Sequence, residues 1–207
     1  MSSNPMRRVA LSLILLALVV SALPALAEVR QGSFELELYG GWYDPGPSVL
    51  PGEPTFGGRF GYNATQSFFV QATLGYTNFE TDVAAGGDSG TIQLDLLNLD
   101  FSFGYNFIEG GNVTPEVHAG FGGGFGSSSG SLLIDDPEVC GVAPCKVTFD
   151  NVARDSFTLH GGAGVRIDLS DLIYLRPVIQ ARWFAARDDG SWDVEYVVSL
   201  GFKFGGN

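Results

Sequence analysis

Few residues in this sequence have side chains typical of a catalytic or metal site, and their spacing does not predict that they come together in one site. The chain has two histidines, His118 and His160, which fall on the same face of two neighbouring predicted strands. We expect them to lie several residues apart in height at about 3.3 Å per residue, which makes them poor co-ligands for a metal. We predict that both belong to a polar network.

Two short motifs could carry chemistry, but their contexts favour loops. Residues 126–130 read Gly-Ser-Ser-Ser-Gly and match the Gly-x-Ser-x-Gly pattern of a nucleophilic serine, which requires a strand-to-helix turn that nothing here predicts. We interpret this segment as a flexible loop. The pairs Asp135-Asp136 and Asp188-Asp189 could bind calcium weakly, although solvated loop charge is the default for such pairs. We therefore predict no enzyme activity, no cofactor and no metal site.

The two cysteines are separated by only four residues. Cys140 and Cys145 flank a Gly-Val-Ala-Pro segment inside a polar stretch. In an exported protein the oxidising compartment favours a local disulfide between them. The alternative is a metal or redox pair, but the spacing matches no strong motif and no further histidine or cysteine lies nearby. The small ring of a disulfide would stabilise a loop more than the fold.

Charged residues at alternate positions form the largest constellation in the chain, and we predict that they line the inside of a barrel. An eight-stranded barrel is only wide enough for its side chains to fill. Charges there must pair or be hydrated, because unpaired burial is costly. A structural plug of ion pairs is the first reading, and a gated pore lined by both signs is the alternative. The predicted network comprises Glu35, Glu37, Arg59, Asp100, Glu116, His118, His160, Arg166, Asp168, Arg176, Arg182, Glu195 and Lys203.

The beginning of the chain has the organisation of a cleavable export signal. Arg7 and Arg8 precede an apolar run from Val9 to Leu23, which is shorter than the roughly 20 residues needed to span a bilayer as a helix. Ala25-Leu26-Ala27 then provides small residues for signal peptidase. We predict a signal peptide at 1–27 and a single β-barrel domain at 28–207. Loss of the two arginines takes the net charge from −12 to −14, which argues against a nucleic-acid partner.

Eight segments alternate between apolar and polar residues, as strands with two unlike faces do. Long and short connections alternate between them, with long links at 44–55, 80–91 and 126–156, an intermediate link at 185–193, and short links elsewhere. An up-and-down meander whose two ends face different surroundings produces this alternation. The predicted strands are Phe34–Tyr43, Phe56–Tyr62, Phe68–Tyr76, Ile92–Tyr105, Pro115–Phe125, Phe157–Leu169, Ile173–Phe184 and Val194–Phe204.

Two positions interrupt the alternation. The apolar face of the fourth strand changes parity at Leu96 and Leu97, and a β-bulge there would absorb the extra residue. Pro177 lies inside the seventh strand, where a closed barrel needs a backbone donor. We predict a bulge or kink next to it. The last strand is expected to close the barrel by pairing with the first.

The placement of aromatic residues selects lipid rather than water as the outer solvent. An arginine facing lipid at mid-depth costs about 2–4 kcal/mol, so in a membrane the charged face must point inward. Aromatic residues near strand ends match interfacial girdles. The alternative, a soluble secreted barrel, would reverse the two faces. We predict one belt of Trp42, Phe56, Tyr76, Phe125, Phe157 and Trp183, and another of Tyr62, Phe68, Tyr105, Tyr174, Phe202 and Phe204.

Four segments resemble the small outer-membrane β-barrel superfamily, which includes the barrel of outer membrane protein A and proteins X and W. They read GGRFGYN (57–63), PEVHAGFGGGFG (115–126), GGAGVRIDLSDLIYLRPVIQARWF (161–184) and VSLGFKF (198–204). The resemblance implies an eight-stranded antiparallel transmembrane barrel that the outer-membrane assembly machinery inserts. His160 is followed by two glycines, so the His-x-Ser pair of the lipid A deacylases among these barrels is not present.

The sequence therefore predicts an all-β, integral outer-membrane protein of a Gram-negative cell. We expect a structural or surface-interaction role, with a lumen plugged by the polar network and long loops outside. Its expected partners are outer-membrane lipid, the assembly machinery and an unidentified surface ligand. The alternative function is a narrow porin-like channel for ions or small apolar solutes.

Overall fold

A computed structural model describes residues 29–46, 50–85, 88–108, 111–134, 145–186 and 191–206. The predicted signal peptide, Cys140 and both aspartate pairs proposed for calcium lie outside the described residues. Across the described part, no helix is both long and apolar enough to cross a bilayer.

Eight antiparallel strands follow one another around a closed barrel, and β8 pairs with β1. This confirms the predicted fold class and the closing seam, in which Phe34 lies opposite Phe204 and Tyr43 opposite Glu195. The strands are β1 (Ser33–Asp44), β2 (Glu53–Asn63), β3 (Phe68–Ala85), β4 (Asp88–Asn106), β5 (Val113–Ile134), β6 (Cys145–Asp168), β7 (Ile173–Phe184) and β8 (Trp192–Gly205).

Alternation along β1 shows how the sequence sets the two faces of the barrel wall. Glu35 and Glu37 are each 2% exposed, whereas Leu36 is 49% and Leu38 is 68% exposed. Successive side chains of a strand point to opposite faces, so the glutamates enter the lumen and the leucines cover the outside. The interior of this barrel is therefore its polar core, and its apolar surface is the outer wall.

Two hairpins are much longer than the sequence predicted. The strands β3 and β4 stay paired from Tyr76 opposite Leu97 up to Ala85 opposite Asp88, where we expected a long loop. Likewise β5 and β6 continue to Ile134 opposite Cys145. In β5 the stretch 126–131 consists only of glycine and serine, so it shows no alternation, but main-chain pairing in water does not require an apolar face. Residues 126–130 accordingly belong to a strand rather than to a flexible loop.

The predicted bulge at Leu96 and Leu97 is wrong. Both residues pair in an unbroken register with β3 and with β5. The strand keeps its alternation, because Leu96 faces inward like Asn98 and Leu97 faces outward like Leu99. The apolar residues change from the outward positions to the inward positions at this point of the strand. The register shift in this region lies between β5 and β6, at Ser128 and Gly130.

Pro177 interrupts the sheet without shifting it. Pairing of β6 with β7 stops after Gly164 opposite Val178 and resumes with Ile167 opposite Leu175 in the same register. On its other side β7 keeps a continuous register with β8. Of the two predicted irregularities, the bulge is thus wrong and the kink stays a prediction. The missing N–H donor of the proline coincides with a short gap in one ladder.

Candidate functional site

The candidate site is the lumen of the barrel together with the mouth at the end that carries the long hairpins, which is called the upper end below. Every residue of the predicted polar network lies there and is buried, with at most 8% of its surface exposed. These side chains are Glu35, Glu37, Arg59, Asp100, Glu116, His118, His160, Arg166, Asp168, Arg176, Arg182, Glu195 and Lys203.

The lower part of the lumen, next to the short connections, holds an ion cluster built by four strands. Arg166 is bonded to Glu35 and, through Nε, to Asp168 Oδ1 at 3.1 Å. Lys203 Nζ donates to the same oxygen of Asp168 at 2.9 Å. Asn63 Nδ2 donates to Glu35 Oε1 at 2.7 Å. Each carboxylate therefore accepts from at least two donors, which offsets the cost of its burial.

Arg176 occupies the middle of the lumen and reaches three other walls. It bonds Glu37 and Glu35 on β1, the latter at 3.2 Å. Its Nη1 also donates to Gln71 Oε1 on β3 at 2.9 Å, and its Nε lies 3.2 Å from Glu116 Oε2 on β5. In a barrel of eight strands in sequential order, β3 lies opposite β7. Arg176 therefore bridges the full diameter of the barrel.

Arg59 adds a second cation at a neighbouring height. Its Nη1 donates to Ser199 Oγ at 2.9 Å and lies 3.5 Å from Glu37 Oε2. The guanidinium carbon lies 4.5 Å from the ring centroid of Tyr39. A ring face attracts a cation, so Tyr39 also stabilises this arginine.

Arg182 closes the lumen again above this level. Two of its nitrogens donate to the two carboxylate oxygens of Asp100 at 2.7 and 2.8 Å. This two-point geometry is the strongest form of an arginine–carboxylate pair. Glu195 lies 3.8 Å from Arg182 and accepts from Thr55 Oγ1 at 3.3 Å. The pair joins β7 to β4 across the barrel.

The two histidines are closer together than the sequence suggested. Gly120 lies opposite His160 and Gly162 lies opposite His118, so the histidines are diagonal neighbours with ring centroids 6.3 Å apart. The estimate of several residues in height was wrong because the register of β5 against β6 was unknown. His160 Nε2 lies 2.8 Å from Ser102 Oγ, and His118 Nε2 lies 3.1 Å from Gln180 Oε1. Both histidines therefore belong to the hydrogen-bond network.

Tyr174 is a lumen residue that we placed wrongly in the lower girdle. It is fully buried, and its hydroxyl lies 2.9 Å from Glu35 Oε2 and 2.8 Å from Glu37 Oε1. Tyr174 is two residues from Arg176 on the same strand and therefore faces the same side. The alternation of β7 in the sequence would have placed it inside the barrel. Its ring lies over Gly201, where an added Cβ would come within 2.2 Å of the ring.

The lumen is rich in acid, and tyrosines compensate part of the excess. Among the described residues the buried acids are Glu35, Glu37, Asp100, Glu116, Asp168, Asp193 and Glu195, and the buried cations are Arg59, Arg166, Arg176, Arg182 and Lys203. The single O–H of Tyr174 lies within hydrogen-bond distance of both Glu35 and Glu37, and Tyr43 donates to Asp193 Oδ2 at 2.6 Å. Neutral donors to buried carboxylates lower the cost of an unbalanced charge.

Above the arginine layers the lumen changes character and ends in an apolar cap. The cap is the cluster of Tyr43, Phe79, Leu96 and Phe184. Leu50 and Leu94 are partly buried and pack against it. It comes from the upper ends of β1, β3, β4 and β7, so it lies over the mouth of the barrel.

The outer wall carries the predicted girdles, apart from Tyr174. The remaining members of both belts point outward, and Trp42, Phe56, Tyr105 and Phe204 are each between 47% and 58% exposed. Since β3, β5 and β6 continue beyond the upper belt, Tyr76, Phe125 and Phe157 lie within these strands and not at their ends as predicted. Two aromatic belts around an apolar band are the mark of a barrel held in a bilayer.

A polar triad at the upper edge of the girdle joins the girdle residue Tyr76 to Asn78 and Asp95. Tyr76 donates a hydrogen bond to Asp95 Oδ1, and Asn78 Nδ2 donates to the same oxygen at 2.8 Å. The hydrogen bond from Tyr76, followed by that from Asn78, lowers the pKa of Asp95. Because both donors favour the charged form, Asp95 stays ionised at the water side of the girdle.

The remaining predictions concern metals and the disulfide. Among the described residues no group of three or more histidine, cysteine, aspartate or glutamate side chains is placed to hold a metal ion. Cys145 is disulfide-bonded, but Cys140 lies outside the described part of the chain, so their pairing stays a prediction.

Comparison with known proteins identifies the family. The model of the outer membrane protein β-barrel domain matches residues 13–204. Outer membrane porin F of Pseudomonas fluorescens is 29% identical over 152 residues, which is 73% of this chain and 40% of that protein. This chain therefore spans less than half the length of that relative.

Solved structures share the fold at low sequence identity. The outer membrane protein OprG of Pseudomonas aeruginosa aligns with a TM-score of 0.55 at 14% identity, covering 86% of this chain and 98% of that one. Ail of Yersinia pestis aligns with a TM-score of 0.53 at 12% identity, covering 84% and 99%. Similarity at this level supports the fold alone.

Proposed function

This chain belongs to the family of outer membrane protein β-barrel domains and lies in the outer membrane, and from that premise we propose that it is a closed barrel. Its lumen is a structural ion network, and its role is structural or exerted by the surface above the membrane. The narrow channel is the second candidate.

The observation that carries this proposal is the presence of two arginine bridges at different heights. Arg176 joins β7 to the opposite wall through Gln71, and Arg182 joins β7 to β4 through Asp100. Opening a continuous water path requires both bridges to break. Separating a buried ion pair leaves both charges uncompensated until water reaches them, so two such layers in series keep an open state rare.

A specific observation favours the channel as the alternative. Within the described residues, Asn98 Oδ1, Asn106 Oδ1 and Arg59 Nε are buried and have no hydrogen-bond partner. Such groups are stabilised by water, and a chain of hydrated polar groups is what a narrow conducting path would use. The two candidates therefore differ in whether the arginine bridges open, not in the polarity of the lumen.

Single-channel recording on the purified barrel in planar bilayers separates the two candidates. The closed barrel predicts no reproducible opening events for the natural chain. A double variant, Arg176→Ala with Arg182→Ala, should conduct, because both bridges are then removed. Leu38→Ala, which alters only the outer wall, is the matched control and should stay silent. Reproducible openings of the natural chain would sink the closed-barrel proposal.

Lipid and the assembly machinery complete the proposal as partners. The exposed apolar wall fits lipid chains, and the terminal strand would be the element that the assembly machinery engages. There the ring of Phe204 stacks on Phe34 with centroids 5.9 Å apart. A surface ligand for the long hairpins also belongs to the proposal.

A further inference from the structure

A cavity of about 230 Å³ opens at the upper mouth of the barrel, on the apolar cap. Its walls include Tyr43, Leu50, Phe79, Leu94, Leu96 and Phe184. From its geometry we infer that this cavity is a binding site for a small neutral apolar molecule, about the size of a one- or two-ring aromatic hydrocarbon. The closed lumen of the proposed function does not require such a site.

The apolar character of the cavity comes from the inward-facing positions of the strands that surround it. Along β4 the inward residues Asp100 and Asn98 are polar, whereas the next ones upward, Leu96 and Leu94, are apolar. Phe79 of the neighbouring strand is 1% exposed at the same level. Water reaches this mouth, and polar side chains would be expected at a surface in contact with water. Apolar side chains at such a surface often mark a binding site.

The polar groups at the edge of the cavity are already engaged, which favours a ligand without charge. The hydroxyl of Tyr43 donates to Asp193 Oδ2 at 2.6 Å. Ser156 Oγ donates to the carbonyl of Phe157 at 3.1 Å and accepts from the N–H of Ala186 at 3.0 Å. A charged ligand would lose hydration without gaining a free counter-group, and that exchange is unfavourable.

Size and ring geometry narrow the ligand class. An apolar protein cavity of about 150 Å³ is large enough to take up benzene, so this cavity has room for one or two rings. The rings of Tyr43 and Phe79 meet edge to face, with centroids 5.6 Å apart and an interplanar angle of 76°. An aromatic ligand can add to such a pair in the same geometry. The pair of Arg182 and Asp100 lies below, so the site ends blindly.

Methyl NMR on the barrel in detergent micelles tests the inference, with toluene as the probe. Toluene also partitions into micelles, so leucines on the outer wall serve as the internal control. We expect the methyl groups of Leu94 and Leu96 to shift along a saturating curve. Those of Leu38 and Leu74, both more than half exposed on the outer wall, should shift linearly without saturation. Linear behaviour at all four leucines would overturn the inference.

Two adjacent substitutions locate the site. Leu96→Phe fills the cavity and should weaken toluene binding by at least about ten-fold, because an overpacked pocket excludes the ligand. Leu97→Phe adds the same side chain one residue away on the outer wall and should leave the saturating shift unchanged. Equal binding by both variants would contradict the inference. If the natural chain shows no channel openings and no saturable toluene binding, the binding site is refuted and the closed barrel is supported. If it shows channel openings and saturable toluene binding, the closed barrel is refuted and the binding site is supported.

Discussion

The lower and upper halves of β4 differ in the polarity of the side chains that face into the barrel. From Asn106 up to Asn98 the inward side chains are polar and the outward ones are apolar, whereas from Leu96 upward the inward positions become apolar. Outward positions become polar at Asp95 and Gln93. One straight strand thus passes through two solvents, and the side-chain pattern reverses where lipid gives way to water. A change of apolar parity in a β-barrel sequence can therefore mark the membrane boundary.

The largest effect is expected from removing a cation from the part of the lumen that is level with the lower half of β4. Arg176→Ala leaves Glu37 and Glu116 buried without their shared partner, and we expect a loss of about 3–5 kcal/mol in the free energy of unfolding. Guanidinium unfolding in lipid vesicles measures the change. Glu80→Gln in the upper hairpin is the control and should change stability by less than about 0.5 kcal/mol. Equal effects of the two substitutions would remove the distinction between the halves.

The same outward face can be tested at two heights. Leu38→Arg puts a cation against lipid midway between the girdles, and we expect a destabilisation of about 2–4 kcal/mol. Gln93→Arg makes the corresponding change above the girdle and should be nearly neutral, because water surrounds that position. Unfolding of both variants under identical conditions gives the comparison. A neutral Leu38→Arg would mean that water, not lipid, covers the outer wall.

A smaller effect is expected at the boundary between lumen and cap. Tyr43→Phe removes the donor to the buried carboxylate of Asp193 but keeps the ring packed on Phe79. We expect a loss of about 1–3 kcal/mol, which is typical for a hydrogen bond to a buried charged group. The measurement is again equilibrium unfolding. Phe79→Leu, which removes the ring contact but keeps the bond between Tyr43 and Asp193, is the partner variant, and a larger loss there than in Tyr43→Phe would show that ring packing dominates.

The smallest effect concerns the polar triad at the upper edge of the girdle. The pKa of Asp95 is lowered in the folded protein, so its contribution to stability is present above the unfolded pKa and is lost as pH falls through the folded pKa. Tyr76→Phe removes the main donor and should raise the pKa of Asp95 toward its ordinary value. An NMR titration of the Asp95 carboxyl carbon measures this. An unchanged pKa would show that the hydrogen bond is not made in solution.

Alternation in the sequence predicted the barrel, the closing seam and the inward placement of the charged residues, because period two fixes which side chains share a face. It did not predict the height of the hairpins, since the glycines and serines of 126–131 pair through backbone groups that leave no apolar signal. It also misplaced Tyr174, which carries an aromatic ring but follows the parity of Arg176. The proximity of His118 and His160 depends on the register of β5 against β6, and no local pattern encodes that register.

The central claim is that the bridge between Arg182 and Asp100 closes the lumen below the apolar cap, so that water from outside does not reach the residues beneath it. Single cysteines along β4, labelled from outside by a membrane-impermeant maleimide, test it directly. Gln93→Cys and Leu94→Cys should label in the folded barrel, whereas Ser102→Cys, at a position 3% exposed inside the lumen, should label only after thermal unfolding. Labelling of Ser102→Cys in the folded barrel as fast as that of Leu94→Cys would contradict the account.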